Sequence, residues 1–126
     1  LVEELKAKVQ FVGELTNEEI LVYLQNAKIF ILNSSYEATS YALLEAKMAG
    51  ATVLARNSSG SSEVINSGVD GLLFHPEKGD SLEFSILALL NNDEFSKKLA
   101  INARKDALNR FEQSINFQKI FESLII

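Results

Sequence analysis

At 126 residues, with 47% hydrophobic and 23% charged side chains and a single proline, the chain has the length and composition of one folded domain and not of a disordered segment. It has no cysteine and one histidine, which excludes disulfides, thiolate metal sites and the familiar zinc constellations. A net charge of -5 argues against sequence-independent binding of nucleic acid, so any phosphate ligand must be held by local geometry. No apolar run approaches the roughly 20 residues of a membrane span, and residues 1–9 are too charged for a signal peptide. The expected location is cytoplasmic.

Residues 8–13, KVQFVG, read as a short buried strand. Residues 16–27 read as a helix, with Thr16 as N-cap and Glu19 three positions on completing a capping box. The apolar run 28–34 has strand length. A helix is expected from Tyr41 to Ala49, closed by Gly50. Residues 51–56 are the next strand; the polar loop NSSGSS then leads into a short helix, SEVINSG, ending at Gly68. Residues 71–76 form a fourth strand stopped by Pro76. From Asp80 the pattern is helical to the end, with breaks expected at 91–93 and near Phe111.

Strands apolar on both faces, each followed by a helix, imply a parallel α/β sheet with right-handed crossovers. In such sheets ligands bind beyond the carboxyl ends of the strands. The loops after Val12, Leu32, Ala55 and Phe74 are therefore the places to look.

The loop NSSYEATS puts Glu37 at that edge. Ser40 suits the N-cap of the following helix, whose first amides around Tyr41 and Ala42 lack intrahelical acceptors and carry the positive end of the dipole, a favourable setting for an anion. Glu45 lies about one turn further along. At 100° per residue Glu45 and Lys47 point to nearly opposite sides, and the i±3 and i±4 neighbours of Glu45 offer no cation. Read alone, each glutamate is better taken as a solvated side chain.

Taken together, the pattern resembles the E-x7-E signature of retaining glycosyltransferases of the GT-B fold, in particular the large family 4 (group 1) of nucleotide-sugar enzymes. VQFVGELTNEEILVYLQNAKIFILNSSYE is similar to the family's strand, capped helix and strand leading to the first glutamate. LLEAKMAGATVLARNSSGSSEVINSGVDGLLFHPEKGD follows its E-A, Gly, strand, Gly-containing loop, E-V-I and G-L-L run. The resemblance covers roughly residues 1–111.

It implies a Rossmann-like parallel sheet with helices on both faces, with residues 1–126 forming the nucleotide-sugar-binding part of a GT-B C-terminal domain. By the same resemblance Glu37 would be the catalytic-site carboxylate, accepting hydrogen bonds from donor-sugar hydroxyls. Ala38, Ser40, Tyr41 and Ala42 would surround the sugar and diphosphate, and Glu45 would accept from the two ribose hydroxyls. The donor would be a UDP-sugar or GDP-sugar, with no cofactor and no metal required. The acceptor would be a glycan or lipid-linked molecule, at the inner face of the cell membrane.

Ala38 and Ser40 stand where the family usually has glycine, and Ala38 lacks glycine's dihedral freedom. Lys47 replaces a common Met, Thr52 a common Pro, Ser59 a Gly and Ser62 another Pro, positions expected to tune packing and turns. In the family two further strands, a diphosphate-neutralising Arg and Lys pair and the acceptor-binding domain precede the point that corresponds to Leu1. The expectation is that the isolated chain binds donor weakly and does not turn over. A noncatalytic nucleotide-sugar-binding or scaffolding module of the same fold is the alternative.

A signalling receiver domain, similar in length and order, is rejected. It needs acids where the strand ends show Gly13 and Asn57, and a Lys at a fifth strand. The NSSGSSE loop reads as a capped turn or a donor contact. His75 reads as a loop histidine without an evident partner. Lys97, Lys98, Arg104 and Lys105 read as a solvated helix face, with peripheral contact to anionic lipid as the alternative.

Overall fold

A computed structural model describes residues 8–34 and 41–125, with side chains described as far as residue 114. The local signals of the sequence are realised first. Helix α1 (Asn17–Asn26) starts where Thr16 and Glu19 cap each other: each backbone N–H donates to the other's side chain at 3.2 Å. Strand β1 (Ile29–Leu32) follows, then helix α2 (Tyr41–Ala49). Gly50 ends α2 at φ 95°, a left-handed conformation that glycine adopts at least cost.

Strand β2 (Thr52–Arg56), helix α3 (Ser59–Val64) and strand β3 (Leu72–Phe74) complete the sheet, and helices α4 (Leu82–Leu90) and α5 (Asp93–Ile125) close the chain. The three strands are parallel in the order β1-β2-β3, with Leu32 opposite Ala55 and Arg56 opposite Phe74.

Strand β2 is central, and its alternating side chains divide two cores. Val53 and Ala55 pack with Leu24, Leu43, Ala46 and Val64 beneath α1, α2 and α3. Leu54 points the other way, to Phe74, Leu89 and Leu99 beneath α4 and α5. Helices therefore cover both faces, as a parallel sheet requires.

Three expectations need correction. Residues 8–13 form no strand: Phe11 is 86% exposed, and none of the described strands runs alongside to supply ladder hydrogen bonds. An apolar run of strand composition becomes a strand only against a partner.

Helix α3 begins inside the polar NSSGSS segment and stops at Val64, not Gly68. Ser58 accepts from the Ser61 amide at 3.1 Å, and Ser61 Oγ accepts from the Ser58 amide at 2.8 Å, so serines build the N-terminus. The Asp70 carboxylate then accepts from the Asn66 amide at 2.8 Å and closes a turn where helix was expected. Finally, α5 runs through Phe111 without a break, since residues 93–125 contain neither Gly nor Pro.

The turn between α3 and β3 depends on Gly71. A Cβ there would stand 2.7 Å from Val53 Cγ2, 3.0 Å from the Val53 carbonyl oxygen and 3.1 Å from Ile65 Cγ2. The carbonyl belongs to the central strand and cannot step aside. Gly71→Ala is therefore expected to lower unfolding free energy by about 1–3 kcal/mol, measured by urea denaturation; an unchanged midpoint would show that the strands separate freely at this point.

Candidate functional site

Parallel pairing brings the carboxyl ends of all three strands to one edge: Leu32 and Asn33, Arg56 and Asn57, Phe74 and His75. The α2 N-terminus follows β1 and lies at the same edge, because α2 must run back to the start of β2. Tyr41, 69% exposed, and Ala42, also exposed, form its first turn, where amide N–H groups have no intrahelical acceptor. Of the residues singled out from sequence, Glu37, Ala38 and Ser40 lie outside the described residues.

Glu45 is about 6 Å along the helix axis from Tyr41, by the rise of 1.5 Å per residue. Its side chain is exposed, and among the described residues it forms no hydrogen bond or ion pair. It borders a cavity of about 440 Å³ between α1 and α2, whose wall includes Asn17, Gln25, Met48 and Arg104. A second cavity, about 270 Å³, adjoins it and is lined by Tyr41, Leu44, Arg110 and Phe111 among others. A carboxylate with open lone pairs beside a cavity can accept from two neighbouring hydroxyls of a ligand.

Lys47 points away from Glu45, as the helical period requires, but its environment was not legible. The ammonium is fully buried. It donates to the Val64 carbonyl at 2.7 Å and to Asp106 Oδ2 at 2.6 Å, and stands 3.3 Å from Asp70 Oδ2. Arg110 Nε donates to the same Asp106 oxygen at 2.8 Å, and its Nη2 donates to the Glu63 carbonyl at 3.0 Å. Burial alone would raise the Asp106 carboxyl, but the Lys47 ammonium and the Arg110 guanidinium together hold it below the ordinary aspartate range. This network ties α2, the turn before β3 and α5 together behind the Glu45 face, and so fixes the rotation of α2.

Sequence reasoning also passed over Arg56. Its Nε donates to Asn33 Oδ1 at 3.0 Å, and its guanidinium carbon lies 5.9 Å from the centre of the Phe74 ring. Among the described residues no other acceptor engages its terminal amino groups. The available signal was its position, a basic residue closing a strand that otherwise reads apolar. His75, expected to lack a partner, has Nδ1 3.5 Å from Asp80 Oδ2. The one-turn 3-10 helix Pro76–Lys78 folds the chain back to bring them together.

An open-edged parallel sheet with helices on both faces, and a helix N-terminus at its carboxyl edge, is the arrangement of open α/β domains, in which ligands bind at that edge. Comparison with known proteins then specifies it. Residues 2–106 match the family described as "Glycosyl transferases group 1", and the chain belongs to that family.

The chain is 31% identical over 119 residues to N,N'-diacetylbacillosaminyl-diphospho-undecaprenol alpha-1,3-N-acetylgalactosaminyltransferase of Campylobacter jejuni, covering 93% of this chain and 31% of that protein. It is 30% identical over 127 residues to the amylovoran biosynthesis glycosyltransferase AmsK of Erwinia amylovora, with coverages of 96% and 31%. Anabaena Alr3699/HepE, solved in complex with UDP-glucose, is similar in structure with a TM-score of 0.79 at 25% identity, over 98% of this chain and 34% of that one. The chain thus spans about a third of the length of these relatives. Among the described residues no helix is long and apolar enough to cross a membrane.

Proposed function

We propose that residues 1–126 are the donor-binding part of a retaining GT-B glycosyltransferase of family 4, which moves a sugar from a UDP-sugar or GDP-sugar to a glycan or lipid-linked acceptor. The observation that carries this reading is Glu45: exposed, unpaired among the described residues, bordering a cavity, and one turn from a helix N-terminus at the carboxyl edge. Family membership supports it, as does the UDP-glucose complex of HepE.

In this reading Glu45 accepts from the ribose hydroxyls, and the amides of Ser40, Tyr41 and Ala42 face the diphosphate beside Ala38. Glu37 accepts from the donor sugar and stabilises positive charge developing at the anomeric carbon. Fixed amides and the dipole stabilise the departing diphosphate without reorganising. Arg56, held by Asn33 and Phe74, adds a guanidinium to an edge that otherwise has little positive charge. No step requires a metal. The acceptor site belongs to a further domain of the complete enzyme, which works in the cytoplasm at the inner face of the membrane.

Ligand-observed NMR of this chain with UDP, GDP, ADP and their sugar conjugates tests the reading. One nucleotide is expected to bind selectively. Glu45→Ala should weaken it about ten- to a hundredfold, the worth of charge-assisted hydrogen bonds of about 1.5–3 kcal/mol. Binding that ignores the substitution would remove Glu45 from the site, and nucleotide binding without transfer by the complete protein would favour a noncatalytic module.

A further inference from the structure

The cations of α5 do not sit on an ordinary solvated face. At 3.6 residues per turn Lys97, Ile101, Arg104, Lys105 and Leu108 fall within about 100° of arc, with Lys98 and Phe111 at the margins. All of them are exposed, including the apolar members: Ile101 at 59%, Leu108 at 41% and Phe111 at 53%. The face thus interleaves large apolar side chains with its charges.

Two of the acids nearby are neutralised by partners of their own, and the strip keeps an excess of cations over acids. Asp106 is turned inward and paired with Lys47 and Arg110, and Asp93 is paired with Lys28 at 3.2 Å. Glu94 and Glu112 are exposed on the same arc, one turn beyond each end, and offset two of the four cations. Against a net charge of -5 for the chain, four cations gathered on one face are a local reversal of sign. The face also carries a cavity of about 390 Å³ between α5 and the end of α2, with Gly50, Ala100, Ile101 and Leu108 as its apolar wall and Arg104 and Lys105 beside them.

We propose that this face of α5 docks on an anionic lipid bilayer, with Arg104 and Lys105 on headgroup phosphates and Ile101 and Leu108 reaching the headgroup–acyl boundary. Charge complementarity selects the partner. Cations alone fit any polyanion, whereas cations around exposed aliphatic side chains fit a surface that is anionic outside and apolar beneath. This deepens the proposed action on lipid-linked acceptors by naming the surface that holds the domain at the membrane.

Co-sedimentation of the chain with vesicles of phosphatidylcholine and phosphatidylglycerol in equal parts tests it, with pure phosphatidylcholine as the neutral control. Binding is expected only to the anionic vesicles, and release at about 1 M salt, where the Debye length is about 3 Å. Arg104→Gln with Lys105→Gln should weaken partitioning about 25-fold, taking roughly fivefold per cation at an anionic surface. Ile101→Ser with Leu108→Ser should weaken it at unchanged charge, while Lys78→Gln, outside α5, should leave it unaltered.

No binding, equal binding to neutral vesicles, or binding indifferent to the α5 substitutions would overturn the proposal and return the strip to a solvated face. Nucleotide binding measured on the same samples separates the outcomes. An unsubstituted chain that binds nucleotide but no vesicle refutes only the docking face, and one that binds anionic vesicles but no nucleotide refutes the donor site.

Discussion

Lys47→Met is expected to destabilise the protein by about 3 kcal/mol, the lower end of the cost of removing one partner from a buried ion pair. Met is unbranched and close to Lys in volume, so packing changes little. What changes is electrostatics. The Asp70 residue, only 7% exposed, keeps its hydrogen bond from the Asn66 amide but loses its cation, whereas Asp106 retains Arg110 at 2.8 Å. Differential scanning calorimetry should show the midpoint falling by about 10 °C, at roughly 3–4 °C per kcal/mol for a chain of this size.

Adding Asp70→Asn should recover part of the loss, because the buried group left without a cation would then be neutral. If the single substitution left stability unchanged, the ion pairs would be no more than incidental contacts.

The same network sets the response to acid. Asp106 has its folded pKa lowered, so its contribution is fully present above the unfolded aspartate value of about 3.9 and is lost as pH falls through the folded value. Stability should therefore decline below about pH 4. In Lys47→Met the Asp106 share of that decline should be smaller, since only Arg110 remains to lower the folded pKa.

The second large effect concerns chemistry. On the proposed reading, Glu37→Ala in the complete protein is expected to lower kcat about a hundredfold to a thousandfold, the scale on which removing one group aimed at developing charge acts. Nucleotide affinity should change little, because the proposed partner of Glu37 is the sugar. Glu45→Ala should do the reverse, weakening nucleotide binding with a smaller effect on kcat. That split between KM and kcat, read from steady-state kinetics, assigns each carboxylate to one end of the donor. Parallel losses in both constants for both variants would refute the division of labour.

How much of this was legible depended on the range of the interaction. The capping box of Thr16 and Glu19, the stop at Gly50 and the helix from Tyr41 to Ala49 are decided within a few residues by hydrogen bonds or backbone dihedrals, and they stand where the sequence puts them. The opposition of Glu45 and Lys47 is likewise a property of the helical period alone. Membership of the glycosyltransferase family was legible for a related reason, since its motifs are short runs at fixed spacing.

Other features were decided only by which distant segments met. Nothing within a few positions of Lys47 shows its partners, since Asp70 lies 23 positions away and Asp106 59. Arg56 becomes a cation of the candidate site only when β1 brings Asn33 beside it and β3 brings Phe74 beneath it. Residues 8–13 have strand composition but no neighbouring strand, and backbone hydrogen bonds cannot be made by one segment alone. Spacing along the chain determined the helices, strand candidates and acidic pair; the tertiary structure decided which charges are buried, which are left open to a ligand and which gather on one face of α5, because burial and pairing belong to the packed assembly of segments.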